Sequence, residues 1–176
     1  MGATITDAML QPGLTWETTV KTRVEGIRKY PQARTTSGFL QLLKTEGMMD
    51  LLEWSDFEKP RRIFGVTQFF KDLGIETELD LKQWLEKPGN DAKLLEMRGI
   101  GTKNLDYFKK LAGISGCAVD RHIREFVNNK AGITTINDRE IKAIVDIAAE
   151  LMRVDKSALD YSIWRYMSQR KRVSGC

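Results

Sequence analysis

The sequence is short of several things that chemistry often depends on. Its 176 residues include two cysteines, Cys117 and Cys176, too few for a disulfide framework or a cysteine-ligated iron–sulfur cluster, so both are expected as free thiols. There is one histidine, His122, and a zinc site would need an unusual carboxylate-rich set to compensate. No apolar run approaches the length that spans a bilayer, and the opening "MGATITDAMLQPG" lacks the basic-then-apolar pattern of a signal peptide. A soluble intracellular protein with no membrane partner is therefore expected. Net charge is also small, +4, but unevenly placed. Residues 1–90 carry 12 Lys/Arg against 13 Asp/Glu, and residues 91–176 carry 16 against 11. The excess is compatible with a polyanionic partner, although proteins that never meet nucleic acid share such a bias.

What is present is helical periodicity. Apolar residues recur at three- and four-residue spacing, no stretch alternates over strand length, and 41% hydrophobic residues suffice for a core. An all-α chain is expected, with helices over about 15–29, 35–46, 58–73, 79–87, 91–97, 102–112, 120–130, 137–152 and 157–169. Asn137 with Glu140, and Ser157 with Asp160, have capping-box spacing. Ile141, Ile144, Val145, Ala148 and Leu151 form one expected core stripe; Leu159, Ile163, Tyr166 and Met167 form another. The basic tail "QRKRVSGC" is expected to fray.

The most informative stretch is "EMRGIGTKNLDYF". Gly99 and Gly101 flank Ile100 between two helical patterns, which leaves bare backbone at the next helix's N-terminus. The N–H groups of Gly101, Thr102 and Lys103 would face an anion, with the positive helix end behind them, and Ile100 would plug the gap between the helices. An ordinary helix–helix corner fits the same residues. Farther on, Asp120 precedes an apolar-periodic stretch through Ile123, Phe126 and Val127, where it can serve as an N-cap, as a reactive carboxylate, or as both. Lys103 can act as a point charge on phosphate or as an amine nucleophile.

Two linked blocks resemble the helix-hairpin-helix DNA glycosylases of the endonuclease III and 8-oxoguanine glycosylase superfamily. "MRGIGTKNLDYF" is similar to their "LPGVGxKxA" hairpin and "AVDRHI" to their "VDxH" segment, with Lys103 and Asp120 17 positions apart. "SALDYSIWRYMS" resembles the "LDxxIWY" element of the small 8-oxoguanine glycosylases. The likeness covers about residues 91–170, and Arg98 stands where the family has proline.

The resemblance implies a two-lobed fold with the active-site cleft between lobes. One lobe would be 31–130, with the hairpin at about 91–112; the other would join 1–30 to 131–176. It implies a monomeric base-excision-repair DNA glycosylase with abasic-site lyase activity on double-stranded DNA, with Lys103 as nucleophile and Asp120 as catalytic carboxylate. Gly99, Gly101, Thr102 and Arg98 would hold the DNA backbone, while His122 and Arg121 would support the site. Arg124 either touches phosphate or belongs to a solvated face. No cofactor is required and no iron–sulfur cluster is implied, but the carbonyls of Leu95, Met97 and Ile100 would hold a structural Na⁺ or K⁺. 8-Oxoguanine is the first substrate expected, with oxidised pyrimidines or mismatched bases as alternatives. A base pocket would draw one or two members from Trp54, Phe57, Phe64, Phe69, Phe70, Trp84, Tyr161 and Trp164. The competing class is a non-enzymatic helix-hairpin-helix module that binds DNA backbone.

Overall fold

A computed structural model describes residues 1–132 and 137–173, the last four of these as backbone only. Among the described residues the chain contains helices and no strand, as expected. It divides into two compact units, Met1–Gly113 and Ile114–Cys176.

The first unit is built around a helix that the periodicity does not reveal, α1 (Gly2–Leu10). Its sequence "GATITDAML" holds a glycine and three β-branched residues, poor helix formers, so its conformation rests on packing. Ile5, Ala8, Met9 and Leu10 are buried, and α1 packs against α2 (Lys21–Arg28), α5 (Glu58–Asp72) and α8 (Thr102–Leu111). A π-helical turn, Trp16–Val20, leads into α2. A 3-10 turn, Pro31–Arg34, precedes α3 (Thr36–Leu42), which runs through a second π-helical turn, Leu43–Gly47, into α4 (Met48–Leu51). α6 (Glu78–Leu85) starts from a Thr77–Asp80 capping box, and α7 (Asn90–Leu95) leads to α8. Phe39, Phe70, Phe108, Leu81 and Leu94 are fully buried. Phe70 meets Phe108 edge-on at 5.4 Å and Trp84 at 6.3 Å, a favourable arrangement of ring quadrupoles.

The second unit is a three-helix cluster of α9 (Arg121–Ala131), α10 (Asp138–Met152) and α11 (Lys156–Val173). Its core is Cys117, Ile123, Val127, Ile141, Val145, Ile163 and Met167. The Asn137–Glu140 capping box is present, with both reciprocal bonds near 3.0 Å. The expected Ser157–Asp160 box is not. Asp155 caps α11 instead, accepting from the N–H groups of Ser157 and Ala158, while the Ser157 hydroxyl bonds Gly116. Asp160 is buried, with Oδ1 3.6 Å from the Cys117 sulfur. The core stripe of α10 is also rotated from the expected one. Ile141, Val145 and Ala149 face inward, whereas Ile144 is exposed and Leu151 is 80% exposed. In α11 Ile163 and Met167 are buried, and Tyr166 is largely outside.

The division falls elsewhere than expected. Residues 1–30 belong to the first unit because α1 buries its apolar face on α5 and α8. Residues 114–130 belong to the second because Ile123 and Val127 complete its core. The side chains and end of "QRKRVSGC" from Arg170 onward, Cys176 among them, lie outside the described residues.

Candidate functional site

The hairpin is a six-residue turn, 96–101, between α7 and α8. The Ile100 N–H donates to the Met97 carbonyl (3.1 Å), and an ion pair from Lys109 to Asp91 ties the two helices together. Gly99 sits at φ +87°, where a side chain is strained, and a Cβ added there would lie 2.5 Å from Cδ of Arg62. Ile100 is buried, as a plug between the helices should be.

Gly101 differs from Gly99. Its backbone is extended (φ −113°, ψ 178°), and a Cβ there would meet nothing within 4 Å. The chain's own packing therefore does not exclude a side chain at 101. Its N–H is not free for a ligand, contrary to expectation, because Asn104 Oδ1 accepts it at 3.0 Å. The Asn104 amide in turn donates to the Ala8 carbonyl at 2.9 Å, so one buried side chain joins the turn to α1. The N–H groups of Thr102 and Lys103 lie in the first turn of α8, where helix geometry supplies no acceptor. Thr102 is exposed and Lys103 half-buried.

Arg98, 79% exposed, projects from the turn with Nη2 4.0 Å from Glu58 Oε1. Glu58 opens α5 and also takes Arg61 Nη2 at 2.9 Å, Arg62 Nε at 3.0 Å and Arg62 Nη2 at 2.9 Å. The bond from Arg62, followed by that from Arg61, holds the Glu58 carboxyl below its usual range. Burial, with the charge of Arg62, lowers the pKa of Lys59.

In the second unit Asp120 is the N-cap of α9. Its Oδ1 accepts from the N–H groups of both His122 (2.8 Å) and Ile123 (2.9 Å), so the cap uses one carboxylate oxygen of the two. His122 is buried, Arg121 exposed, and Arg124 bonded to Asp138. The hairpin residues and Lys103 thus form one set in the first unit. Asp120, Arg121 and His122 form another in the second. Burial pushes the Cys117 thiol well above its usual pKa, with Asp160 adding to the rise, which makes Cys117 a core residue and a poor nucleophile.

The eight aromatics divide. Phe70 is fully buried, with Phe69 and Trp84 against it. Phe64 lies under Lys44, and Trp54 has Arg23 and Lys59 at 5.8 and 5.9 Å from its ring. Phe57 is 56% exposed, and Tyr161 stacks on Trp164 at 6.1 Å.

Asn104 and the Glu58–Arg61–Arg62 group escape the sequence reading. Asn104 carries a local signal, a side-chain acceptor three residues after the helix-opening Gly101. Arg62 has none, being 37 positions from Gly99.

Residues 55–168 match the model of a family described as a domain of unknown function, DUF8548. The chain belongs to this family. The DUF8548 region runs from just before α5 into α11 and includes the hairpin, Lys103, Asp120 and the Glu58 cluster. No curated protein and no solved structure matches the chain. Among the described residues no group of three or more His, Cys, Asp or Glu could hold a metal ion, and no helix is long and apolar enough to cross a membrane.

Proposed function

We propose that this chain is a base-excision-repair DNA glycosylase with abasic-site lyase activity, of the helix-hairpin-helix type, with 8-oxoguanine as its first substrate. The observation that carries the reading is the placement of Lys103. It is the second residue of α8, directly after a turn made of a left-handed Gly99, a plugging Ile100 and an unobstructed Gly101. A phosphate seated at the turn would meet the N–H groups of Thr102 and Lys103, the open face of Gly101 and the guanidinium of Arg98, contacts that position the backbone without reading sequence.

In this reading the neutral Lys103 amine attacks C1′ of the damaged nucleotide. The N-glycosidic bond breaks with its electron pair leaving on the base, which takes up a proton, and the secondary amine opens the sugar to an imine. Loss of a C2′ proton then expels the 3′-phosphate by β-elimination, and water hydrolyses the imine to free Lys103. Asp120 stabilises the electron-poor sugar and assists the proton transfers. Its cap bonds fall on Oδ1, which leaves Oδ2 for that task. His122 and Arg121 hold the segment in support.

A structural Na⁺ or K⁺ would be held by the carbonyls of Leu95, Met97 and Ile100 and would steady the turn. Met97 already accepts the Ile100 N–H, but a carbonyl has a second lone pair.

The test is strand incision on duplexes carrying 8-oxoguanine, an oxidised pyrimidine, a mismatch or an abasic site. The wild type should release the base and nick at least one lesion duplex. Lys103→Gln should abolish nicking and keep salt-sensitive binding. Binding without nicking on any of them would leave the chain a backbone-binding module.

A further inference from the structure

We propose that Arg61, Arg62 and Arg98 form a phosphate-binding surface, continuous with the hairpin turn, that takes the DNA backbone next to the nucleotide served by Lys103. The inference rests on the function proposed above and extends it to residues of α5.

In "DFEKPRRIF", Glu58, Arg61 and Arg62 have i, i+3 and i+4 spacing, so they share one face of α5. Their position is unfavourable for the helix. Lys59, Arg61 and Arg62 put three cations in the first turn and a half, where the backbone already presents positive charge and anions are preferred. Against them stand two carboxylates, Glu58 within that stretch and Asp56 just before it, whose Oδ1 accepts the Glu58 N–H at 3.0 Å. The Glu58 carboxylate is shared by three guanidinium groups, those of Arg61, Arg62 and Arg98, at the turn.

The carboxylate also orients these groups. Arg62 uses two of its five N–H donors on Glu58 and Arg61 uses one, so several donors of each fork remain to reach outward. The side chains stay 38–79% exposed. A planar fork held in place suits a phosphate's two oxygens, and separate forks suit successive phosphates.

Continuity with the hairpin comes from Gly99. The Arg62 stem crosses its bare α-carbon, at a distance no Cβ could share. Arg98, the residue before Gly99, meets the same carboxylate. A strand seated at the turn therefore lies beside the arginine cluster.

The experiment uses the full chain and a labelled duplex with a non-cleavable abasic analogue, titrated across a range of KCl concentrations. Each phosphate that the protein no longer neutralises lowers the log–log salt slope by about 0.9. Arg61→Gln with Arg62→Gln should lower it by about 2 and Arg98→Gln by about 1, while the exposed Arg139→Gln should leave it unchanged. Arg61→Lys with Arg62→Lys keeps the charge and should retain the slope, which separates removal of charge from misfolding. An unchanged slope in the Gln pair, an equal fall in Arg139→Gln, or displacement of the DNA by polyglutamate as readily as by unlabelled DNA would overturn the proposal. If the wild type nicks and the Gln pair binds like it, the surface falls and the lyase reading stands. If the slope falls but no lesion is nicked, the lyase reading falls and the surface stands. A wild type that binds no DNA removes both.

Discussion

Replacing Gly99 by alanine tests the hairpin without reference to DNA. The added methyl raises two separate costs. A non-glycine residue at φ +87° pays roughly 1–2 kcal/mol in backbone strain. The methyl would also stand 2.5 Å from Arg62 Cδ and 2.7 Å from Nε, so the Arg62 side chain must swing away from Glu58. Because that pair is well exposed and screened by solvent, its loss adds little. The cost against the first unit is therefore set by the backbone strain, about 1–2 kcal/mol. Gly101→Ala, at an extended φ with open space around it, should cost within about 1 kcal/mol, from cap preference alone. The assay is urea unfolding followed by tryptophan fluorescence in a Trp164→Phe background, where Trp16, Trp54 and Trp84 all report the first unit. Gly99→Ala should lower the midpoint at unchanged m-value, and Gly101→Ala should barely move it. Equal midpoints for wild type and Gly99→Ala would refute the geometry assigned to the turn. A larger loss at Gly101 than at Gly99 would refute the distinction between them.

Other perturbations separate packing from chemistry. Asn104→Ala removes the partner of the Gly101 N–H and of the buried Ala8 carbonyl, and should cost about 2–4 kcal/mol in the same assay. Asp120→Asn keeps a good N-cap, so stability should hold within about 0.5 kcal/mol while strand nicking is lost; Asp120→Ala should in addition destabilise the second unit by about 1 kcal/mol. Asp7 is buried in α1, and that burial raises its pKa above the ordinary 3.8, against smaller opposing effects of Gln11 and Arg28. The folded state thus keeps this proton to higher pH than the unfolded chain, so the carboxylate burdens the fold increasingly as pH rises above the ordinary aspartate range. Asp7→Asn should therefore stabilise the first unit at pH 7, with the gain vanishing on acidification below about pH 4, as read from urea midpoints at several pH values.

Helix positions were legible wherever an apolar stripe and a boundary residue agreed, as from Glu58 to Asp72 and from Asn137 to Met152. α1 was not legible, because "GATITDAML" has poor intrinsic propensity and gains its helix from α5 and α8, far along the chain. In α10 the apolar set is broader than the buried face. Ile141, Ile144, Val145, Ile147, Ala148, Ala149 and Leu151 leave periodicity unable to choose which edge turns inward. The start of α11 offered two capping residues, Asp155 and Ser157, and tertiary bonding decided between them: Ser157 was drawn to Gly116.

For the candidate site, local pattern revealed the turn, its glycines and the Asp120 cap, since each is a property of a few adjacent residues. It did not reveal that Gly101 and Gly99 are glycine for different reasons, nor that Asn104 occupies the Gly101 N–H. Arg61 and Arg62 belong to another helix and come to the turn only through the fold.

In the proposed reaction Lys103 forms an imine with the sugar of a damaged or abasic nucleotide. Borohydride reduction during reaction with lesion-bearing duplexes, followed by proteolysis and mass spectrometry, tests it most directly, because the reduced adduct marks the attacking amine. The expected product is a covalent complex whose sugar remnant maps to Lys103 and which Lys103→Gln does not form. No adduct from folded protein on any lesion, or an adduct on a different lysine that persists in Lys103→Gln, would contradict it.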